Sequence, residues 1–326
     1  GMRNAMASNI RRQWLNSLAV LALGAAALTA QAQAPLPVPL IKEGVTVKVS
    51  DHVWVIPDGL VPVVPNVGII VGSRATLIVD TGLGIRNGET VLHELAKVSK
   101  NTEVYVATTH FHAEHTTGGV AFPASFKFVR PNAQQKDIEE FGASFFKMFE
   151  SRSPEMGALM KGSDYPRADI LFERDYTLDL GGVRVQFTWL GPTHTRGDTV
   201  FYVEEDKVLF AGDVVMPVFV AANGQYSSIA KWLADLDEFA KLGPAKVVPA
   251  HGRMGGVELV TRQREYLAAV QSGAAAAKRE GKSAEDAAKQ LAAQIAESFP
   301  DLAPAGSGPA TGRINAAIQA VYREAK

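Results

Sequence analysis

Short apolar runs punctuate the chain between residues 45 and 249, most of them closed by glycine or polar turn residues. Residues 45–49, 52–56, 67–71, 75–79 and 104–108 read as strands, as do 176–180, 183–190, 200–203, 208–211 and 246–249. They are rich in β-branched and aromatic residues and bounded by breakers, the composition that favours extended chain. Gly181-Gly182 and the polar stretch 204–207 join neighbouring runs as hairpins. Residues 89–98 break the pattern: Val91, Leu92, Leu95 and Val98 fall on one helical face. Residues 132–150 and 227–241 also read as helices. Strands interleaved with helices predict an α/β (α+β) domain over residues 35–256, with a helical insertion at about 131–168. In that insertion Phe141, Phe145, Phe146, Met148, Phe149, Met156 and Met160 crowd together. They form either a packing face or an apolar lid.

After residue 256 the pattern turns helical and alanine-rich, with helices over 257–278, 283–297 and 313–325 and a break at 304–309. Ser283 followed by Asp286 is suited to an N-terminal cap. This segment, 257–326, is expected to pack on the domain or to meet a second subunit. At the other end, Gly1 before Met2 reads as an expression scar. Arg3, Arg11 and Arg12, an apolar run over 15–28 and the alternating Ala and Gln of 30–34 have the order of a secretory signal. Cleavage after Ala32 or Ala34 is expected, and Arg11-Arg12 also permits the twin-arginine variant. The apolar run is short for a membrane span. The mature protein is therefore expected in the periplasm or secreted, with no stable membrane insertion.

Among 326 residues, 33 are basic and 34 acidic, which gives no sign of a nucleic-acid or other polyanion partner. Cysteine is absent, so there is neither a disulfide framework nor a thiolate ligand, and any metal must be held by His, Asp or Glu. The candidate chemistry concentrates at Thr109-His110-Phe111-His112-Ala113-Glu114-His115-Thr116-Thr117-Gly118-Gly119, directly after a predicted strand. Three of the seven histidines lie here. Side chains alternate along extended chain, so His110 and His112 face one way, and a following turn aims Glu114 and His115 at a neighbouring position. Further metal-type residues sit at strand ends: His194 in a turn-rich loop, Asp213 after Phe210-Ala211-Gly212, and His251 after Pro249-Ala250. His52 and His93 read as ordinary strand and helix residues.

Those motifs, Thr-His-Phe-His-Ala-Glu-His at 109–115, Gly-Pro-Thr-His at 191–194, Phe-Ala-Gly-Asp at 210–213 and Pro-Ala-His-Gly at 249–252, with Val-Asp-Thr-Gly at 79–82, resemble the metallo-β-lactamase-fold superfamily of metallohydrolases over roughly residues 45–255. The resemblance implies a four-layer αββα sandwich, here with a helical C-terminal extension, and two metals at one edge of the sheets. It implies that His110, His112 and His194 hold the first metal, that His115 and His251 hold the second, and that Asp213 bridges them. Asp80 would brace the loop. Position 114 departs from the family pattern, which has Asp there; Glu114 either ligates the second metal from a shifted loop or hydrogen-bonds the bridging water. The second site is expected to be weaker in consequence. The ligand set is glyoxalase-II-like or lactonase-like, whereas zinc β-lactamases place Cys or Ser at position 213.

The resemblance implies a zinc hydrolase, which the signal-like N-terminal order makes an exported one, carrying one or two ions with iron or manganese as alternatives, in which acidified water cleaves a small ester, lactone, thioester or β-lactam. Glu114 and Asp213 are the candidate proton-handling groups. An iron-dependent persulfide dioxygenase-like oxidoreductase uses similar ligands. A non-enzymatic periplasmic metal-binding or redox-accessory protein is a third reading. Arg196 is expected either to receive a substrate carboxylate or to pair with Asp198.

Overall fold

Alternation along the strands sorts the apolar residues into separate layers. The computed structural model describes residues 37–222, 224–305 and 307–324, so the segment read as an export signal lies outside the described residues. From Val38 onward the chain forms one unit. Strands β1 (Val47–Ser50), β2 (Val53–Ile56), β3 (Val67–Val71), β4 (Ala75–Val79), β5 (Glu103–Ala107), β6 (Lys127–Pro131) and β7 (Ile170–Phe172) form one sheet in sequence order. Strands β8 (Asp175–Asp179), β9 (Arg184–Trp189), β10 (Thr199–Val203), β11 (Val208–Gly212) and β12 (Lys246–Pro249) form the second, ordered β12-β11-β10-β9-β8. The pattern of the sequence misses β6 and β7, which are short and carry exposed residues at Lys127 and Leu171.

Period-two geometry explains the layering. Leu77 and Val79 of β4 face the second sheet and share a core with Phe187, Phe201, Val203 and Phe210. Ile78, between them, points to the opposite face and packs with Val91 and Leu95 of helix α1 (Gly84–Val98). Across the second sheet, Val200, Leu209 and Val247 face outward into a third cluster. Helices α6 (Ile229–Leu242), α7 (Val257–Arg279), α8 (Ala284–Ser298) and α9 (Ala310–Glu324) supply much of that cluster, including the fully buried Trp232 and Tyr266, and the loop after β11 adds Val214, Val215 and Phe219. The arrangement is a helix–sheet–sheet–helix sandwich, and the C-terminal helices cover the second sheet rather than projecting away from it. Each fully buried aliphatic or aromatic side chain contributes roughly 1.5–3 kcal/mol, so this face is a major source of stability. Among the described residues no helix is long and apolar enough to cross a membrane.

Local sequence sets the helix ends. Ser228 accepts the N–H of Lys231 at the start of α6, and Gly243 ends it in the left-handed region at φ 59°. Ser283 caps α8 by accepting the N–H of Asp286. The insertion is one run of helix, α3 (Asn132–Asp137) and α4 (Ala143–Glu150), joined by a π-helical turn at Ile138–Gly142. The Gly142 carbonyl in that turn accepts the Tyr165 hydroxyl at 3.0 Å. Helix α5 (Pro154–Met160) follows, capped by Ser153.

Candidate metal centre

Four parallel-paired strands, β4 with β5 and β11 with β12, deliver their C-terminal ends to one edge of the sandwich. That is where loops on an α/β sheet carry chemistry. Asp80 follows β4, His110 follows β5, Asp213 follows β11 and His251 follows β12. His112, Glu114 and His115 sit in and just before the single helical turn α2 (Ala113–Thr116), and His194 lies on the loop between β9 and β10. The seams beside the centre are stitched by backbone: Thr199 N–H donates to Thr109 O at 2.8 Å, and Asn66 N–H to Ala250 O at 2.7 Å.

All seven donors proposed from sequence come together. Three sets have ligand atoms within 4.8 Å of one another: His110, His112 and His194; His110, His115 and Asp213; Glu114, His115 and His251. Asp213 stands between the imidazoles. Its Oδ2 lies 3.1 Å from His194 Nε2 and 3.7 Å from His110 Nε2. Its Oδ1 lies 3.8 Å from His251 Nε2 and 4.0 Å from His115 Nε2. One oxygen thus faces each group of histidines. Glu114 Oε1 is 3.5 Å from His115 Nε2, so the longer side chain still reaches the second group.

The outer nitrogens are fixed by other parts of the chain. His110 Nδ1 meets Thr109 Oγ1 at 3.0 Å and His115 Nδ1 meets Asp80 at 2.8 Å. His194 Nδ1 meets the Ala221 carbonyl at 2.6 Å and His251 Nδ1 the Val64 carbonyl at 2.8 Å. Each of these four therefore presents Nε2 to the centre. His112 is reversed, with Nδ1 3.1 Å from His110 Nε2. Such partners hold a ring in one orientation and tautomer. Asp80 does more than one job: besides His115 its carboxylate accepts the Thr109 N–H at 2.8 Å and the Thr109 hydroxyl at 3.1 Å. Its own backbone is held at φ 67°, unusual for a residue other than glycine.

The electrostatics are those of a centre short of positive charge. Burial and the neighbouring imidazoles push the His110 pKa well below the ordinary histidine range, and burial with His194 takes His112 down to about 3. Burial works against a charge on His194 too, but the Asp213 carboxylate outweighs it and raises the pKa to about 9. At His115 burial is likewise overcome, by Asp80, and the shift is well upward. Burial would raise the carboxyls of Asp213 and Glu114, yet the surrounding histidines hold Asp213 well below its usual value and bring Glu114 to about 2. Glu114 Oε2, His115 Nε2, His194 Nε2 and Asp213 Oδ1 are buried without hydrogen-bond partners. Buried polar atoms without partners are costly, and a cation ligated by them removes that cost. The donor set fits a divalent metal.

A family model described as the metallo-beta-lactamase superfamily matches residues 60–251. The chain belongs to that superfamily. Among relatives, the lactamase-like protein aptB of Emericella nidulans is 26% identical over 208 residues, 62% of this chain and 55% of that protein. The human acyl-coenzyme A thioesterase MBLAC2 is 22% identical over 219 residues, 60% of this chain and 76% of that one. The chain thus spans little more than half of the fungal relative. Among solved structures, the stereoselective inverting sec-alkylsulfatase Pisa1 from Pseudomonas superposes with a TM-score of 0.65 at 14% identity, over 86% of this chain and 50% of its own. That similarity shows the fold. The name of the human relative is that of a hydrolase.

Two sequence expectations need correction or extension. Arg196 does not pair with Asp198. Its Nε donates to Asp137 at 2.9 Å and its Nη2 lies 2.8 Å from Glu140. The Asp198 carboxylate turns inward, accepting the Thr195 N–H at 3.0 Å and the hydroxyls of Thr193 and Thr195. It thereby shapes the loop that carries His194. Sequence reasoning also gave no role to Asp58 and Asn66. Asp58 accepts the Gly252 N–H at 2.8 Å, and Asn66 Nδ2 donates to the Pro249 and Gly252 carbonyls at 2.8 and 2.9 Å. Between them Leu60 and Val63 are held at φ 59° and 69°, a strained loop that delivers the Val64 carbonyl to His251. The only local signal was their position among prolines and glycines. His52 and His93 lie elsewhere, paired with Asp206 and Glu43.

Proposed function

We propose that this protein is an exported zinc-dependent hydrolase that cleaves a small ester, thioester, lactone or β-lactam. The observation that carries the reading is Asp213, with one carboxylate oxygen toward His110 and His194 and the other toward His115 and His251. His110, His112 and His194 would hold one ion, and Glu114, His115 and His251 a second, with Asp213 between them. A divalent cation held there supplies Lewis acidity, which acidifies water and polarises an acyl oxygen.

The chain's own residues do the rest. Thr109, Asp80 and the Ala221 and Val64 carbonyls orient the imidazoles, so little reorganisation is needed when charge develops. Glu114 is held ionised across the neutral range, the state a cation ligand needs. In the net reaction, water adds across the acyl–heteroatom bond. Its oxygen stays on the acid and one proton goes to the departing heteroatom, the oxygen of an ester or lactone, the sulfur of a thioester or the ring nitrogen of a β-lactam.

A panel of p-nitrophenyl esters, acyl-thioesters, lactones and nitrocefin, run with and without chelator, tests the reading. Chelator-sensitive hydrolysis is expected for at least one class, and none across the panel with zinc-loaded protein would overturn it. Zinc titration should show one tight and one weaker site, because Glu114 replaces the family's shorter acid. Two equally tight sites would contradict that part.

A further inference from the structure

The insertion places an aromatic row against the metal centre. The ring of Phe145 stacks on His112, with centroids 4.2 Å apart and planes within 9°. Phe111 contacts both Phe145 and Phe141, at 5.3 and 6.2 Å. The inner side of the insertion is anchored: Phe149, Met156 and Met160 are buried against Leu83 and Ala113, the latter inside the histidine turn. Phe141, Phe145 and Phe146 are only half-buried, and Met148 is 44% exposed. Phe145 and Phe146 pack on the rim of that cluster, but packing covers them only in part, so an apolar edge stays open where Phe145 meets His112.

Charge complements that shape. Arg196 is the cation nearest in sequence to His194, and it is already committed. Its guanidinium lies over the Tyr226 ring at 4.4 Å and 5.8 Å from Phe141, between the carboxylates of Asp137 and Glu140. Glu140 in turn accepts the Tyr226 hydroxyl at 2.8 Å. This knot ties the π-helical turn to the loop behind His194. A substrate anion would have to displace two carboxylates to use Arg196. An acidic group near Phe141 would also meet Glu140.

We propose that Phe141, Phe145, Phe146 and Met148 form an acyl subsite that takes neutral, apolar chains and rejects chains ending in an anion. The proposal rests on the hydrolase reading above and narrows its substrates to uncharged acyl esters or thioesters. Phe145 is its specificity-determining residue, and Arg196 is a structural strut for the subsite rather than a carboxylate receptor.

The test compares zinc-loaded wild type with Phe145→Ala and Phe145→Leu on three substrates sharing a leaving group: p-nitrophenyl acetate, p-nitrophenyl hexanoate and mono-p-nitrophenyl adipate. Wild type should favour hexanoate over acetate by at least about 10-fold in kcat/KM, the low end for a single methylene in an apolar pocket, and over adipate by a similar factor. The hexanoate-to-acetate ratio should collapse toward one in Phe145→Ala and recover partly in Phe145→Leu. Adipate cleaved as well as hexanoate, or no chain-length preference, overturns the subsite while leaving the hydrolase intact. Binding is read separately by saturation-transfer NMR with hexanamide and adipamic acid. Hexanamide contacts that depend on Phe145 support the subsite even if no ester is hydrolysed, in which case the hydrolase reading alone fails. Equal contacts in wild type and both variants overturn it.

Discussion

Replacing Asp80 with Asn isolates the contribution of one charge to the centre. The side chain is isosteric, and Asn tolerates the left-handed backbone at φ 67° better than Asp does. Backbone strain therefore does not confound the comparison. What changes is the acceptor. Asp80 now takes the Thr109 N–H, the Thr109 hydroxyl and His115 Nδ1. An amide has a single acceptor oxygen, so its NH2 must face either Thr109 or the His115 Nδ1–H, donor against donor. A hydrogen bond to a charged group is worth about 1.5–3 kcal/mol. Loss of an outer partner to a metal-binding histidine typically lowers affinity ~10–100-fold, or about 1.4–2.7 kcal/mol. The two figures agree. Zinc binding should weaken by that factor at the site formed by Glu114, His115 and His251, and much less at the site formed by His110, His112 and His194. Stepwise zinc loading against a competing chelator measures both. If the weaker constant stays unchanged in Asp80→Asn, Asp80 does not position His115.

Chelator dialysis should lower the melting temperature, because zinc at ~1,000 times its Kd stabilises by about 4 kcal/mol; equal calorimetric midpoints with and without zinc would contradict the donor assignment. Gly88→Ala should destabilise by about 3 kcal/mol or more in urea titration, since its Cβ would lie 1.9 Å from the Gly118 carbonyl and push α1 off the histidine loop. Asp235 gives a pH signature. Burial raises its carboxyl to about 6 against the pull of Lys231, 2.9 Å away. The folded state then binds a proton more tightly than the unfolded chain, so this residue's contribution to stability falls as pH rises from about 4 to about 6. Asp235→Asn should remove that decline from the variant's own profile, so the wild-type-minus-variant difference should fall by about 1–2 kcal/mol across that range once partial solvent screening is allowed for.

What was legible in the sequence is what is encoded locally. The strand 246–249 coincides with β12, and the helix over 132–150 is present as a single run. Its π-helical turn was invisible, because an extra residue per turn leaves little trace in a 3.6-residue period. The cap of α8 was readable from Ser283 and Asp286, both within one turn. The histidines could be found because metal ligands are chemically distinctive and follow strands. Arg196 was misassigned for the opposite reason. Proximity in sequence favoured Asp198, but Asp137 lies 59 residues away and meets Arg196 only through tertiary packing. Asn66 is a stronger case, with partners 183 and 186 residues distant. The destination of the C-terminal helices depended on the outward face of β10, β11 and β12, which no single segment reveals.

The spread of the donors along the chain constrains the order of events in biogenesis. His110, His112, Glu114 and His115 leave the ribosome early, whereas Asp213 and then His251 emerge much later. A nascent chain stopped short of β12 lacks His251, and the first sheet's loops carry only four of the seven donors. The complete donor set exists only once both sheets have been made, so full loading of the centre belongs to the end of synthesis rather than its beginning.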